Sequence, residues 1–293
     1  MNSPFGYRLF HQFLNVTGAA QENRRGLAAR LARGSVIAGV HALQRVHSLE
    51  FPARAVGGFW WIWRWRLEFL MEWFEWESVV WARRLIRQGM TVLDLGAHIG
   101  YYSRIFSRLV GPRGKVFAFE PNPENLYILR RNLSAPRYQN VEILPYAVSD
   151  RSETRKLYVS PGHSNHSLIR GFSQAEEEID VRTVSIDAFL DGKDAAKVDF
   201  VKMDLEGSES AALLGMRETI RQSPAMSLLV EYNPLALRAA GTTPEAFLQL
   251  LDRLGLHSEA ILDDASLGPV PDVSRGDLQN LLCSKAGDSR WPC

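Results

Sequence analysis

Four acids stand at or next to the ends of short apolar runs. Asp94 follows Val92-Leu93, Glu120 ends Lys115-Val-Phe-Ala-Phe-Glu120, Asp204 ends Val198-Asp-Phe-Val-Lys-Met-Asp204, and Glu231 lies in Met226-Ser-Leu-Leu-Val-Glu-Tyr232. Runs of this length bounded by turn residues read as buried strands. In an open α/β sheet, ligands bind beyond the carboxyl ends of the strands, where the strand order reverses. Glu120 follows Asp94 by 26 residues, a spacing suited to a carboxylate at the end of a second strand that takes both hydroxyls of a ribose. Any one of these acids alone is a common strand terminator. The four together predict a nucleoside site.

The stretch Val92-Leu-Asp-Leu-Gly-Ala-His-Ile-Gly-Tyr-Tyr102 supplies its floor: a strand, a turn with Gly96 and Gly100, and a helix start. Glycine lets a backbone turn at positive φ and approach a ligand closely. A dinucleotide site requires Gly-x-Gly-x-x-Gly, whose second glycine admits the pyrophosphate. Here His98 is bulky in that region and the third glycine is missing, so S-adenosylmethionine suits the turn better than NAD. An NAD-dependent oxidoreductase is the weaker alternative. A non-catalytic, membrane-associated partner protein that keeps the nucleoside fold is the other.

Strands alternating with helical patterns must position these groups. Helices are expected from Leu70 to Gln88, Tyr102 to Leu109, Pro121 to Leu133, Ser208 to Arg221 and Thr243 to Leu254, with Thr243 or Thr242 as an N-cap. Strands are expected at Met90–Asp94, Lys115–Glu120, Val141–Ala147, Val198–Asp204 and Met226–Tyr232, closed by an antiparallel pair, Glu259–Asp263 and Leu278–Cys283. Ser152–Ile186 interrupts the alternation as an insertion with strands at Arg155–Val159 and Val181–Ile186. The fold predicted is α/β: a doubly wound, mostly parallel seven-stranded sheet covered on both faces.

Composition excludes several classes. The chain has 293 residues, 46% hydrophobic and 23% charged, with a net charge of +1, so whole-chain nucleic-acid binding is not expected. The two cysteines, Cys283 and Cys293, could pair but make no disulfide framework, and zinc spacing is absent. No run is long and apolar enough to span a membrane, and the first residues lack a secretion pattern, which makes the cytoplasm the expected compartment. Residues 1–66 stand apart, with nine arginines against Glu22 and Glu50. Helices are expected near Tyr7–Val16 and Arg25–Ser48. In Phe59-Trp-Trp-Ile-Trp-Arg-Trp-Arg66, Trp61, Trp63 and Trp65 alternate like one face of a strand. The stronger reading is a helical, Trp-rich extension, residues 1–70, that packs on a catalytic domain of residues 71–293. The weaker docks this basic, aromatic surface on a membrane or a lipid-linked substrate. No oligomeric state is read from the residues.

The strings Val92–Ser103, Ala118-Phe-Glu-Pro-Asn-Pro123, Asp199-Phe-Val-Lys-Met-Asp-Leu-Glu-Gly-Ser-Glu209 and Val230-Glu-Tyr-Asn-Pro234 resemble FkbM-type S-adenosylmethionine-dependent methyltransferases, which are class I and Rossmann-like. The likeness covers about residues 72–285. Phe74-Glu75 and Ser167-Leu168 also match, whereas His98 departs from the usual asparagine. The resemblance implies O-methylation of a sugar, polyketide or other natural-product hydroxyl. It implies cofactor contacts from Glu75, Asp94, Gly96, Ala97, His98, Gly100 and Tyr102, then from Glu120, Pro121 and Asn122. Ala147, Val148 and Ser149 would lie beside adenine, and Asp204 near the transferable methyl.

Methyl transfer from a sulfonium requires an acceptor oxygen about 3 Å from the methyl and in line with the breaking bond, and a group to take the hydroxyl proton. Asp204 is placed at the chemistry, with Glu206, Glu209 and His163 as candidate bases and His166 beside them. For Glu206 and Glu209 the competing role is complementing a helix N-terminus; for His163 and His166 it is a solvated loop. Asp204, Glu231 and Asn233 occupy positions similar to those with which catechol methyltransferases hold magnesium, but the FkbM resemblance does not require a metal and none is assigned. The acceptor pocket is expected from Ser160–Gly171, the turn after Asn233 and the N-terminal segment.

Overall fold

The apolar runs pair into one eight-stranded sheet. In chain order the strands are β1 (Thr91–Leu95), β2 (Lys115–Phe119), β3 (Val141–Leu144), β4 (Ala147–Val148), β5 (Thr154–Val159), β6 (Glu177–Val184), β7 (Phe200–Met203), β8 (Ser227–Tyr232), β9 (Leu256–Ile261), β10 (Leu267–Gly268) and β11 (Gln279–Lys285). The spatial order is β10-β9-β11-β8-β7-β1-β2-β3. Neighbours from β3 to β8 are parallel. Antiparallel β11 runs between β8 and β9, which is the expected closing pair, with β9 beginning three residues earlier than Glu259. The sheet has eight strands rather than seven because the two-residue β10 folds back on β9, pairing Leu267 with Ile261. A computed structural model describes residues 35, 37–45, 49–51, 59–161, 165–172, 175, 177–193, 197–271 and 278–285.

Alternate residues of the central strands enter two cores. Leu93, Leu95, Phe117, Phe119, Val201 and Met203 pack on one face of the sheet; Val92, Val116, Phe200 and Leu229 pack on the other. Burial on both faces is why these strands read as continuous apolar runs. The period of two also gathers the polar residues, since Asp94, Lys202 and Glu231 continue the series of Val92, Phe200 and Leu229. Asp94 lies opposite Lys202, and Lys202 opposite Leu229. All three therefore share one face at one edge. The chain leaves β1 toward β2 on one side and returns to β7 on the other, so that edge is the switch point.

Several elements differ from the sequence reading. The expected third strand splits: Pro145 cannot donate to a ladder, and Ala147–Val148 leaves the main sheet for a small one ordered β4-β6-β5. Residues 59–66 form no strand; they belong to a helix, Phe59–Met71. Alternate residues on a helix are about 200° apart, so Trp61, Trp63 and Trp65 cannot share a face. Residues four apart can, and the Trp65 and Phe69 rings pack at a tilt of 52° with centroids 4.6 Å apart. The side chains of Trp61 and Trp63 lie outside the described residues, as do Tyr7–Val16 and much of Arg25–Ser48. Phe69 and Leu70 are buried with Val40 and Leu49 in the second core.

The helix expected over Leu70–Gln88 breaks at Glu72 and Glu75, both at positive φ, and resumes as Trp76–Leu85. The Ser208–Arg221 helix is two, Glu209–Leu214 and Arg217–Gln222. Thr243 caps Pro244–Arg253. Cys283 is a free, fully buried thiol on β11, and Cys293 lies outside the described residues. No helix among the described residues is long and apolar enough to cross a membrane.

Candidate active site

A cavity of about 500 Å³ opens at the carboxyl ends of β1, β2, β7 and β8. The four strand-end acids, Asp94, Glu120, Asp204 and Glu231, all reach its wall, joined by Glu75 and Glu206. Among the described residues Lys202 is the only lysine or arginine lining it.

The turn after β1 forms the floor. Gly96 and Gly100 have φ of 85° and 90°, and His98 between them has φ 50°. A Cβ on Gly96 would meet the Asp204 carbonyl oxygen at 2.0 Å, so the two turns that bound the cavity interlock at a position only glycine can fill. Asp94 accepts a hydrogen bond from the Ser103 hydroxyl on Oδ2 at 2.5 Å. Its buried Oδ1 has no hydrogen-bond partner, and burial pushes its carboxyl up to about 6. Glu120 accepts from the backbone N–H groups of His98 and Asn122, both at 2.8 Å. Burial pushes it up to about 7 against those hydrogen bonds. The Asn125 side chain hydrogen-bonds the same carboxyl, which leaves it one lone pair in reserve.

The turn after β7 forms a second wall. Lys202 donates from Nζ to Asp204 Oδ2 at 2.5 Å and lies 5.2 Å from the centre of the Tyr102 ring. Burial opposes its charge, but the carboxylates of Asp204 and Glu75 outweigh this and hold the ammonium above its usual range. Glu75 accepts from the Tyr102 hydroxyl at 2.8 Å and the Asn280 amide at 3.2 Å, and burial raises its carboxyl. Glu206, at φ 51°, is pushed up to about 8 by burial, then by Asp204 and Glu209. Its carbonyl accepts from the Ser167 hydroxyl at 2.6 Å, so the inserted loop fastens this turn, and the neighbouring Leu168 reaches the cavity.

Of the candidate catalytic groups, Asp204 and Glu206 line the cavity and Glu209 does not. Glu209 is buried and accepts from the backbone N–H of Leu205 at 2.9 Å and of Gly207 at 3.0 Å. Its carboxylate holds the turn shut, which corrects its assignment as a base. His163 lies outside the described residues. His166 lines the cavity, and its Nδ1 accepts from the Ser160 backbone N–H at 3.1 Å.

Of the cofactor candidates, Glu75, Asp94, Gly96, Ala97, His98 and Tyr102 line the cavity, and so do Glu120, Pro121, Ala147, Val148 and Asp204. Gly100, Asn122 and Ser149 do not. Gly100 ends the turn against Leu129, Asn122 caps the helix Pro123–Asn132 with its side-chain oxygen, and Ser149 is buried against Asp150. Asn233 likewise caps Pro234–Ala239, which occupies the oxygen it would have offered a metal.

Residues that sequence reasoning missed are mostly apolar and distant in the chain: Trp65, Phe69, Tyr101, Tyr146, Leu157 and Leu278. Lys202 was findable. A lysine two residues before a strand-end acid shares its face, and a cation there compensates buried carboxylates.

The sequence profile of the methyltransferase FkbM domain matches residues 94–257, more than half of the chain. The chain belongs to the FkbM methyltransferase family. Among curated proteins, hexuronic acid methyltransferase AglP of Haloferax volcanii is 30% identical over 169 residues, 57% of this chain and 63% of that protein. The 2-O-methyltransferase NoeI of Sinorhizobium fredii is 25% identical over 183 residues, 57% of this chain and 73% of that protein. Protein-L-isoaspartate O-methyltransferase of Methanothrix thermoacetophila is 42% identical over 59 residues, so this chain spans only 28% of its length. The FkbM match begins at Asp94 and leaves out Glu75, Trp65 and Phe69, which complete the cavity from the N-terminal side.

Proposed function

We propose that this FkbM-family chain transfers a methyl group from S-adenosylmethionine to a hydroxyl of a sugar or other natural product. The observation that carries this is the composition of the cavity wall: among the described residues, six carboxyl groups and one lysine line it. Burial raises several of these carboxyls, and a cation that enters draws them into the ionised form, whereas a pyrophosphate meets one ammonium only. This weighs against NAD and for a sulfonium with an ammonium tail. The chemistry of the donor set fits as well. The unpartnered Oδ1 of Asp94 is an acceptor for the ammonium, and Glu120, which lines the cavity at the end of β2, offers its remaining lone pair to a ribose hydroxyl. Ala147 and Val148 give a flat apolar wall to the base.

The bound sulfonium supplies an electrophilic methyl group and a neutral leaving group. This chain's residues do the rest. Asp94 and the interlocked glycine turn hold the donor, Asp204 with Lys202 fixes the wall beside the methyl, and Glu206 takes the hydroxyl proton of the acceptor. Trp65, Phe69 and Phe74 keep water from the opposite side. AglP and NoeI, by their names a hexuronic acid methyltransferase and a 2-O-methyltransferase, favour a sugar hydroxyl as acceptor. We assign residues 71–293 to the catalytic domain and residues 1–70 to an extension that completes its cavity.

Calorimetric titration with S-adenosylmethionine, S-adenosylhomocysteine and NAD tests the donor. Binding of the first two and not the third is expected; binding of NAD alone would overturn the reading. Mass spectrometry of glycans and natural products from cells with and without this protein identifies the acceptor by the gain of one methylene.

A further inference from the structure

We infer that Asp204, Glu206 and Glu231 hold a divalent cation of the magnesium or manganese type. Each offers one carboxylate oxygen, and these oxygens all lie within 4.8 Å of one another. Oxygens on opposite sides of a single hard cation stand about 4–5 Å apart, so three oxygens within that span can be drawn onto one ion. A second observation points the same way. Glu231 is 9% exposed, and its Oε2 has no hydrogen-bond partner. Nor has the buried Oε2 of Glu206.

A buried carboxylate oxygen without a donor is costly, because desolvation is not repaid by a hydrogen bond or a counter-charge. Lys202 meets Asp204 through Oδ2. With all three acids ionised, one ammonium against three carboxylates leaves two negative charges, which a divalent cation matches. Carboxylate oxygens with no sulfur and no imidazole among them select a hard ion.

The three acids come from two structural units. Asp204 and Glu206 come from the turn after β7, and Glu231 from β8 beside it. That turn is held on three sides, by Gly96, Ser167 and Glu209. The ligand set is therefore built before an ion arrives. Its role rests on the methyl-transfer reading above: an ion here gives the acceptor oxygen a second anchor beside Glu206.

The test uses the full chain and manganese chloride, with free ion read from the electron paramagnetic resonance signal of aqueous manganese. One ion per chain is expected to bind, to be displaced by magnesium, and to bind at least about tenfold more weakly in Glu231→Gln. Glu142→Gln, a surface change remote from the cavity, should bind as the parent does. S-adenosylhomocysteine is titrated into the same samples. No manganese uptake at roughly 1 mM free ion, or uptake equal in the parent and Glu231→Gln, overturns the site. Binding of S-adenosylhomocysteine in such a sample would leave the methyltransferase reading standing, so the two failures are distinguishable.

Discussion

The turn after β1 and the turn after β7 meet the same steric problem with the same parts. In the first, His98 takes φ 50° between Gly96 and Gly100; in the second, Glu206 takes φ 51° immediately before Gly207 at 105°. Each turn exposes backbone N–H groups that a buried carboxylate collects: Glu120 for His98, and Glu209 for Leu205 and Gly207. The difference lies in where the clamping acid ends up. Glu120 clamps and still lines the cavity, whereas Glu209 clamps from behind and leaves Glu206 facing it. Two glutamates three residues apart thus divide the clamp of the turn from the wall of the cavity, and hydrogen-bond accounting tells them apart where residue type cannot.

The largest expected effect comes from forcing the two turns apart. Gly96→Ala adds a Cβ that meets the Asp204 carbonyl oxygen and places alanine at φ 85°. We expect a loss of about 3 kcal/mol or more in urea unfolding. A loss under about 1 kcal/mol would show that the turns do not interlock.

Next, Glu209→Ala should remove about 2–3 kcal/mol of stability, because the N–H groups of Leu205 and Gly207 lose their buried acceptor. Glu206→Gln should leave stability within about 1 kcal/mol of the parent while slowing methylation of the identified acceptor by about 10²–10⁴-fold. The reverse pattern would exchange their roles.

Acidity gives the third test. Glu120 is pushed up to about 7 by burial, above its unfolded value near 4.5, so the folded chain binds this proton more tightly. The stability it contributes is complete below about 4.5 and lost as pH rises through about 7. Stability of the ligand-free protein should therefore fall between about pH 5 and pH 7.5, by at most about 3 kcal/mol from this group. Glu209, also pushed up to about 7, acts in the same window. Urea titrations at stepped pH should show a shallower fall in Glu120→Gln; an equal slope would assign the change to other groups.

The smallest effect is expected from His98→Asn. Asparagine tolerates the left-handed conformation better than histidine, so stability should hold or rise by under about 1 kcal/mol. A marked loss of stability or of S-adenosylhomocysteine affinity would mean that the imidazole ring, not the backbone conformation, is what the first turn needs.

What the sequence made legible follows from periodicity. Buried strands carry their signature in every residue, so Asp94, Glu120, Asp204 and Glu231 could be placed at one edge, and the glycine spacing marked the first turn. The second turn carried only Gly207, and nothing local says that Glu206 adopts positive φ while Glu209 folds back. Asn122 and Asn233 each precede a proline, a helix-cap signal that competes with a ligand role, and capping is what they do. Trp65 and Phe69 reach the cavity across a chain separation that no local pattern encodes. Read as an alternating strip, the tryptophans suggested a strand; four-residue spacing was the pattern that mattered.

The single cysteine on β11 offers a clock. Its thiol is enclosed between β8 and β9, and burial pushes its ionisation far up, so a thiol-modifying reagent meets it only when the sheet parts. With Cys293→Ser removing the other thiol, the labelling rate of Cys283 reports how often the last strand lifts from its neighbours. A bound donor molecule that tightens the strand edges should slow that rate in proportion to its occupancy, which makes a residue with no part in catalysis a gauge of ligand binding.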